Sequence, residues 1–175
     1  MEIPYTTLPD PPGRAGCGAI LSRLVDGIGF RYRWATEGLA DADLPFTPAA
    51  GCMSLNELLR HIHALLRWIG KETGIPADHA AMDAAEGIAI RSNTLLLCRE
   101  LSGRFARATD REVSQLTVRT SHGEAFPFWY LVNGPLADAL THIGQVNSWR
   151  RIAGNPAPPA DVFRGLPPGE PRPRR

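Results

Sequence analysis

Asp138 and His142 stand four residues apart in a stretch with helical periodicity, so their side chains leave the same helix face about one turn apart. That arrangement lets one helix offer two ligands to one metal ion, and it equally suits a simple hydrogen-bonded pair of carboxylate and imidazole. Gln145 and Trp149 continue the same face, while Leu136, Ala139, Leu140, Ile143 and Val146 make most of the remaining circumference apolar or small. A helix of that kind is expected to be central, and a carboxylate and an imidazole set into it need partners, because burying a charge unpaired is costly. A metal ion would be such a partner, given a third ligand. His61 and His63 are the candidates: at 100° per residue each lies about 100° from Ile62, the centre of a leucine-rich stripe, so both sit at the edge of the buried face and helical geometry does not choose between them. His79 and His122 fall in connecting segments, where histidines are ordinarily solvated.

Four helical stretches must position these residues. The first runs from about Gly18 to Gly38, with Ile20, Leu21, Leu24, Val25 and Ile28 at helical spacing and two glycines, Gly27 and Gly29, that weaken it. The second opens on Ser54-Leu-Asn-Glu57, a capping box in which the serine oxygen accepts from the Glu57 N–H and the Glu57 carboxylate accepts from the Ser54 N–H. Behind it Leu55, Leu58, Leu59, Ile62, Leu65, Leu66 and Ile69 form one apolar face that ends at Gly70 and Gly74. The third spans about Glu86 to Arg107. The fourth has Pro135 near its first turn, where a missing N–H costs nothing, and stops at Gly154-Asn155-Pro156. Between the third and fourth, residues 112–120 alternate weakly as an extended segment, and Phe126 to Tyr130 read as an aromatic lead-in to the last helix. Four helices of about 20 residues, each about 30 Å long, predict an all-α four-helix bundle whose long connections permit a crossover topology. The expected organisation is an irregular N-terminal arm over 1–15, the bundle over 16–156 and a Pro/Arg-rich flexible tail over 157–175, because four prolines lie in residues 1–12 and seven in 156–173.

Composition excludes several other readings. The chain has 175 residues, 43% apolar and 21% charged, with 19 basic and 18 acidic side chains for a net charge of +1, too little for the field that non-specific nucleic-acid binding requires. No run of about 18 apolar residues suggests a membrane span, and Met1-Glu2-Ile3-Pro4 does not open a signal peptide, so a cytoplasmic setting is expected. Cys17, Cys52 and Cys98 form no Cys-x-x-Cys pair and are read as small buried apolar residues. Neither a phosphate-binding glycine loop nor a Gly-x-Ser-x-Gly elbow occurs. Arg150-Arg151 suit the negative end of the fourth helix.

Taken together, Arg33-Trp-Ala-Thr-Glu37-Gly-Leu39, Ser54-Leu-Asn-Glu-Leu-Leu-Arg-His61 and Asp138-Ala-Leu-Thr-His142-Ile-Gly-Gln145 resemble the DinB/YfiT-like family of metal-dependent enzymes over about residues 18–156. The resemblance implies a four-helix bundle, often a homodimer, with one divalent ion held by a histidine of the second helix and a His-x-x-x-His pair of the fourth. It places His61 and His142 as ligands. At 138 this chain departs from the pattern, with aspartate where the family has histidine, which yields a set of two histidines and one carboxylate with positions left open for water or substrate. Such a set admits Fe or Mn beside Zn or Ni. Gln145 and Glu37 are candidates to orient a ligand imidazole. The expected function is a metal-dependent enzyme, hydrolase or thiol-dependent transferase, acting on a small molecule. The alternative is a non-catalytic bundle with a degenerate metal site that works through dimerisation or partner binding.

Overall fold

A computed structural model describes residues 3–75, 87–120 and 122–169. Helix α1 spans Cys17–Ala35, α2 Leu55–Glu72, α3 Ala89–Ala106, α4 Asp110–Gln115, α5 Trp129–Leu131 and α6 Ala137–Ile152; strands β1 (Thr117–Arg119) and β2 (Ala125–Pro127) form one small hairpin. The long helices α1, α2, α3 and α6 make the expected four-helix bundle. Around it α1 packs on α3, α3 on α2, α2 on α6 and α6 on α1, so α1 and α2, although consecutive in the chain, lie diagonally across the core. This is a crossover topology, and it is what brings α2 and α6 side by side.

Local chemistry explains the starts of the helices. Both halves of the Ser54/Glu57 capping box are formed, with the Ser54 N–H and hydroxyl donating to Glu57 Oε2 at 2.7 and 2.8 Å. Helix α1 has no side-chain cap of its own; the carboxylate of Asp110 reaches across from α4 to accept the Cys17 N–H at 2.7 Å. The third helix begins at Ala89, and its expected start at Glu86 lies outside the described residues, as does His79.

The glycines of α1 mark close approaches. A Cβ on Gly18 would stand 2.5 Å from the Phe105 carbonyl oxygen at the end of α3, and one on Gly29 would stand 2.5 Å from the ring of Tyr5. That ring is buried, and its hydroxyl donates to Asp26 at 3.1 Å, so the N-terminal segment, although irregular, contributes to the core. The C-terminal segment meets the N-terminal one, where the Leu8 N–H donates to the Gly165 carbonyl, and it turns on itself where Asp161 bridges to Leu166.

Several local expectations are corrected. Residues 112–120 are not one extended segment: Thr109 and Glu112 form a second capping box that starts α4, and only Thr117–Arg119 is strand. Pro135 does not sit in the first turn of α6; it lies in a wider, π-type turn, Val132–Leu136, whose Gly134 leaves helical geometry at φ −91° and ψ −106°. The aromatic run divides between β2, the buried Phe128 and the exposed Trp129 and Tyr130. Of the cysteines only Cys98 is buried; Cys17 is half-buried and Cys52 exposed. Arg150 does more than face the end of its own helix. Its guanidinium is buried and donates to the carbonyls of Ala35 and Glu37, both at 2.8 Å, and to Asn155 O at 2.9 Å, closing the C-terminal end of α1.

Candidate metal centre

Helix α6 presents Asp138 in its first turn and His142 one turn later, and the neighbouring α2 brings His61 from the middle of its length to the same place. His61 Nε2 is 3.4 Å from Asp138 Oδ2, and His142 Nε2 is 3.3 Å from Asp138 Oδ1. The two imidazoles meet edge to face with ring centroids 4.6 Å apart. One donor atom from each of the three residues falls within 4.8 Å of the others. The structure thus brings together the three residues that the sequence singles out.

The choice between His61 and His63, open on spacing alone, is resolved by their surroundings. His63 turns into the core against α3, where Nδ1 lies 3.0 Å from the Thr94 hydroxyl oxygen, which itself donates to the Ile90 carbonyl. His61 turns towards α6. Its side chain keeps 39% of its exposure and that of Asp138 45%, against 15% for His142, so the group has one sheltered member and two that solvent reaches. A small molecule can therefore approach without a rearrangement of the bundle.

Hydrogen bonding bears on one ring nitrogen of His142. Gln145, three residues on, places Oε1 2.7 Å from His142 Nδ1; an amide oxygen only accepts, so the ring proton sits on Nδ1. A neutral His142 then directs the lone pair of Nε2 at Asp138 Oδ1, acceptor against acceptor. Such a contact is stabilised when positive charge lies between the two atoms, supplied by a metal ion or by a second proton on the ring. The distances bear on which. Good N–H···O bonds are about 2.7–3.2 Å long, shorter than either imidazole–carboxylate contact. Donors bound at about 2.0–2.2 Å to one ion at near-tetrahedral angles stand about 3.3–3.6 Å apart; the two imidazole–carboxylate contacts have that length but end on different Asp138 oxygens, and the set of three donor atoms spans no more than 4.8 Å. The nitrogen and oxygen donors fit a divalent ion such as zinc, nickel, iron or manganese.

The other predicted positions lie in different roles. The Glu37 carboxylate is engaged by Arg33 and Arg91, and among the described residues it accepts from those arginines and not from an imidazole. His122 is exposed in the turn of the β hairpin. Trp149, last on the face that carries Asp138, His142 and Gln145, donates its indole N–H to the Met53 carbonyl at 2.8 Å, next to the cap of α2. It ties the two ligand-bearing helices together, and the regular series 138, 142, 145, 149 is the sequence signal for it. A cleft elsewhere on α6 does not touch this group. It opens on the opposite side of α6, at Leu140, Ile143, Gly144 and Asn147.

No protein-family model matches the chain, and no curated protein matches it. Among solved structures it is similar to YfiT from Bacillus subtilis, described as "a probable metal-dependent hydrolase with an unusual four-helix bundle topology". The two are 16% identical, the match covers 83% of this chain and 94% of YfiT, and the TM-score is 0.53. The likeness shows the fold, a YfiT-type four-helix bundle, and supports the DinB/YfiT-like resemblance of the sequence. Among the described residues no helix is long and apolar enough to cross a membrane.

Proposed function

We propose that this protein is a divalent-metal-dependent enzyme, of hydrolase or thiol-dependent transferase type, that acts on a small molecule at His61, Asp138 and His142. The observation that carries the reading is the convergence of one donor atom each from His61, Asp138 and His142 within 4.8 Å, with Gln145 Oε1 set against the other ring nitrogen of His142. The description of YfiT as a probable metal-dependent hydrolase supports the same class.

Each residue has a separable task. His61 and His142 donate through Nε2, which requires both rings to be neutral. Asp138 supplies the negative charge that compensates part of a divalent cation and bridges the ligands of the two helices. Gln145 orients His142, as partners of ligand imidazoles generally do. Three protein ligands would leave room on an ion for water or substrate, and His61 and Asp138 are the members of the set that solvent reaches. A bound ion of this kind lowers the pKa of a water or thiol or polarises a carbonyl. The homodimer that the resemblance implies belongs to this proposal, as does a cytoplasmic setting.

Metal analysis of protein prepared without a histidine tag tests the reading. We expect about one divalent ion per chain, lost in His61→Ala and His142→Ala and kept in His63→Ala. Asp138→His is expected to retain an ion while shifting preference towards metals that favour nitrogen ligands. Equal metal content in all these variants would overturn the ligand assignment. A folded, metal-free protein under all conditions would favour the bundle with a degenerate site that acts through dimerisation or partner binding.

A further inference from the structure

The face of α6 opposite the metal group borders a cleft of about 830 Å³ between α1, α6 and the C-terminal segment. That volume is within the range of small-molecule sites, about 300–1,000 Å³. Leu24, Leu140 and Ile143 line it, and Ile20 and Phe163 stand at its edge with 62% and 93% of their surface exposed. An apolar cleft with large apolar side chains left in water is suited to a hydrocarbon.

Its polar content is cationic. Among the described residues Arg23 and Arg31 line the cleft, and no carboxylate does. Each guanidinium spends a donor on a backbone carbonyl, Arg23 on Pro9 and Arg31 on Gly27, which holds it in place. Among the described residues neither has an acidic partner. A second cavity, of about 200 Å³, adjoins the Arg31 end: it shares Arg31, Asn147 and Val162 with the cleft and adds Arg151. Two of the three arginines, with Asn147, therefore stand at the Arg31 end, and the rest of the lining is apolar apart from Arg23 beside Ile20 and Leu24. Arg23 and Arg31 are eight residues apart on α1, about 12 Å, which is the length of an alkyl chain of about ten carbons.

We propose that this cleft binds a medium-chain amphipathic carboxylate, with its headgroup on Arg31 and Asn147 and its chain lying along Ile20, Leu24, Leu140 and Ile143 towards Phe163. Arginine is suited to the head because its planar fork matches a carboxylate and stays charged at any working pH. The site is separate from the metal group, since the two occupy opposite faces of one helix.

Calorimetric titration with decanoate, below its micellar concentration, tests the proposal on the full chain. The expected result is saturable binding of one decanoate per chain, with 1-decanol at least tenfold weaker. Arg31→Gln should weaken decanoate at least tenfold, Arg23→Gln by a smaller factor and Phe163→Ser severalfold, each with an unchanged circular dichroism spectrum. His61→Ala should bind decanoate as the unmodified protein does. Absence of binding, equal affinity for decanol, or indifference to Arg31→Gln would overturn it. So would light scattering that shows a dimer broken by Phe163→Ser with no decanoate bound, which would make the cleft a contact between copies. Co-sedimentation with phosphatidylglycerol vesicles without binding of free decanoate would assign the surface to a membrane instead.

Discussion

Replacing Gln145 by alanine isolates one hydrogen bond of the proposed centre. The bond is short, 2.7 Å, and it joins a half-buried amide to the most sheltered of the three ligands. In the metal-free protein its loss costs little, about 0.5–1.5 kcal/mol, because water can replace a neutral partner at this depth. In the loaded protein the imidazole carries part of the cation's charge, so the bond to Nδ1–H strengthens, and removing such a partner weakens metal binding about 10- to 100-fold. That range is about 1.4–2.7 kcal/mol. Partial solvent access at the site argues for its lower half, about 10- to 30-fold. Competition with a chromophoric chelator, with zinc as the probe, reads the affinity directly, and a denaturant titration of the metal-free variant reads the fold. Gln145→Glu, which places a charged acceptor on the same ring nitrogen, should bind zinc more tightly than the alanine variant and at least as tightly as the unmodified protein. The reasoning is refuted if Gln145→Ala binds zinc with unchanged affinity while His142→Ala does not bind it. It is refuted equally if the alanine variant loses stability by several kcal/mol, since Gln145 would then be holding helices and not a ligand.

Three further outcomes follow from the packing. Arg150→Ala strands the carbonyls at the end of α1 and should lower unfolding free energy by about 3–5 kcal/mol in urea titrations, with Arg150→Lys a poor rescue because one ammonium cannot span Ala35, Glu37 and Asn155. Tyr5→Phe removes the hydrogen bond to the buried Asp26 carboxylate and should cost about 1–3 kcal/mol, measured the same way. Glu57 is held below the usual carboxylate range by the Ser54 backbone N–H first and the Ser54 hydroxyl second, so its contribution is present above the unfolded value of 4.5 and is lost as pH falls through the lower folded one. Glu57→Ala should therefore be less stable than the unmodified protein at pH 7, with the two denaturation midpoints converging as the pH is lowered past 4.5.

What could be read in the chain was what is local. The capping box at Ser54, the leucine stripe behind it and the four-residue step from Asp138 to His142 are short-range features, and each has its structural counterpart. A second capping box, Thr109 with Glu112, had the same signature, but the weak alternation of the residues after it masked a helix of only six residues. Gly18 and Gly29 count against a helix on propensity alone, yet tertiary contacts with Phe105 and Tyr5 require them there. The choice between His61 and His63 needed the third dimension, because both flank the same stripe and only the position of α6 tells them apart. Arg150 looked like a charge at a helix end; two of its partners, the carbonyls of Ala35 and Glu37 at and just past the end of α1, lie more than a hundred residues away, beyond the reach of any spacing rule.

Helix α6 also shows why a functional helix can be hard to recognise by amphipathic pattern. An ordinary surface helix has one apolar face towards the core and one polar face towards water. Here Asp138, His142 and Gln145 occupy the side that meets α2, while Leu140, Ile143 and Asn147 border the cleft beside α1. Polar groups thus meet a neighbouring helix while keeping some access to water, and Leu140 and Asn147 border an opening with the buried Ile143 between them. Burial energy alone would not select that arrangement, since it leaves a carboxylate among imidazoles and hydrocarbon beside water. A cation at the first face and an amphipathic anion at the second would each remove one of these costs. If both are bound, the unmodified protein should gain stability from zinc and from decanoate separately, by amounts that follow their affinities and concentrations. Arg31→Gln should lose the decanoate increment and keep that of zinc, and His142→Ala should do the opposite.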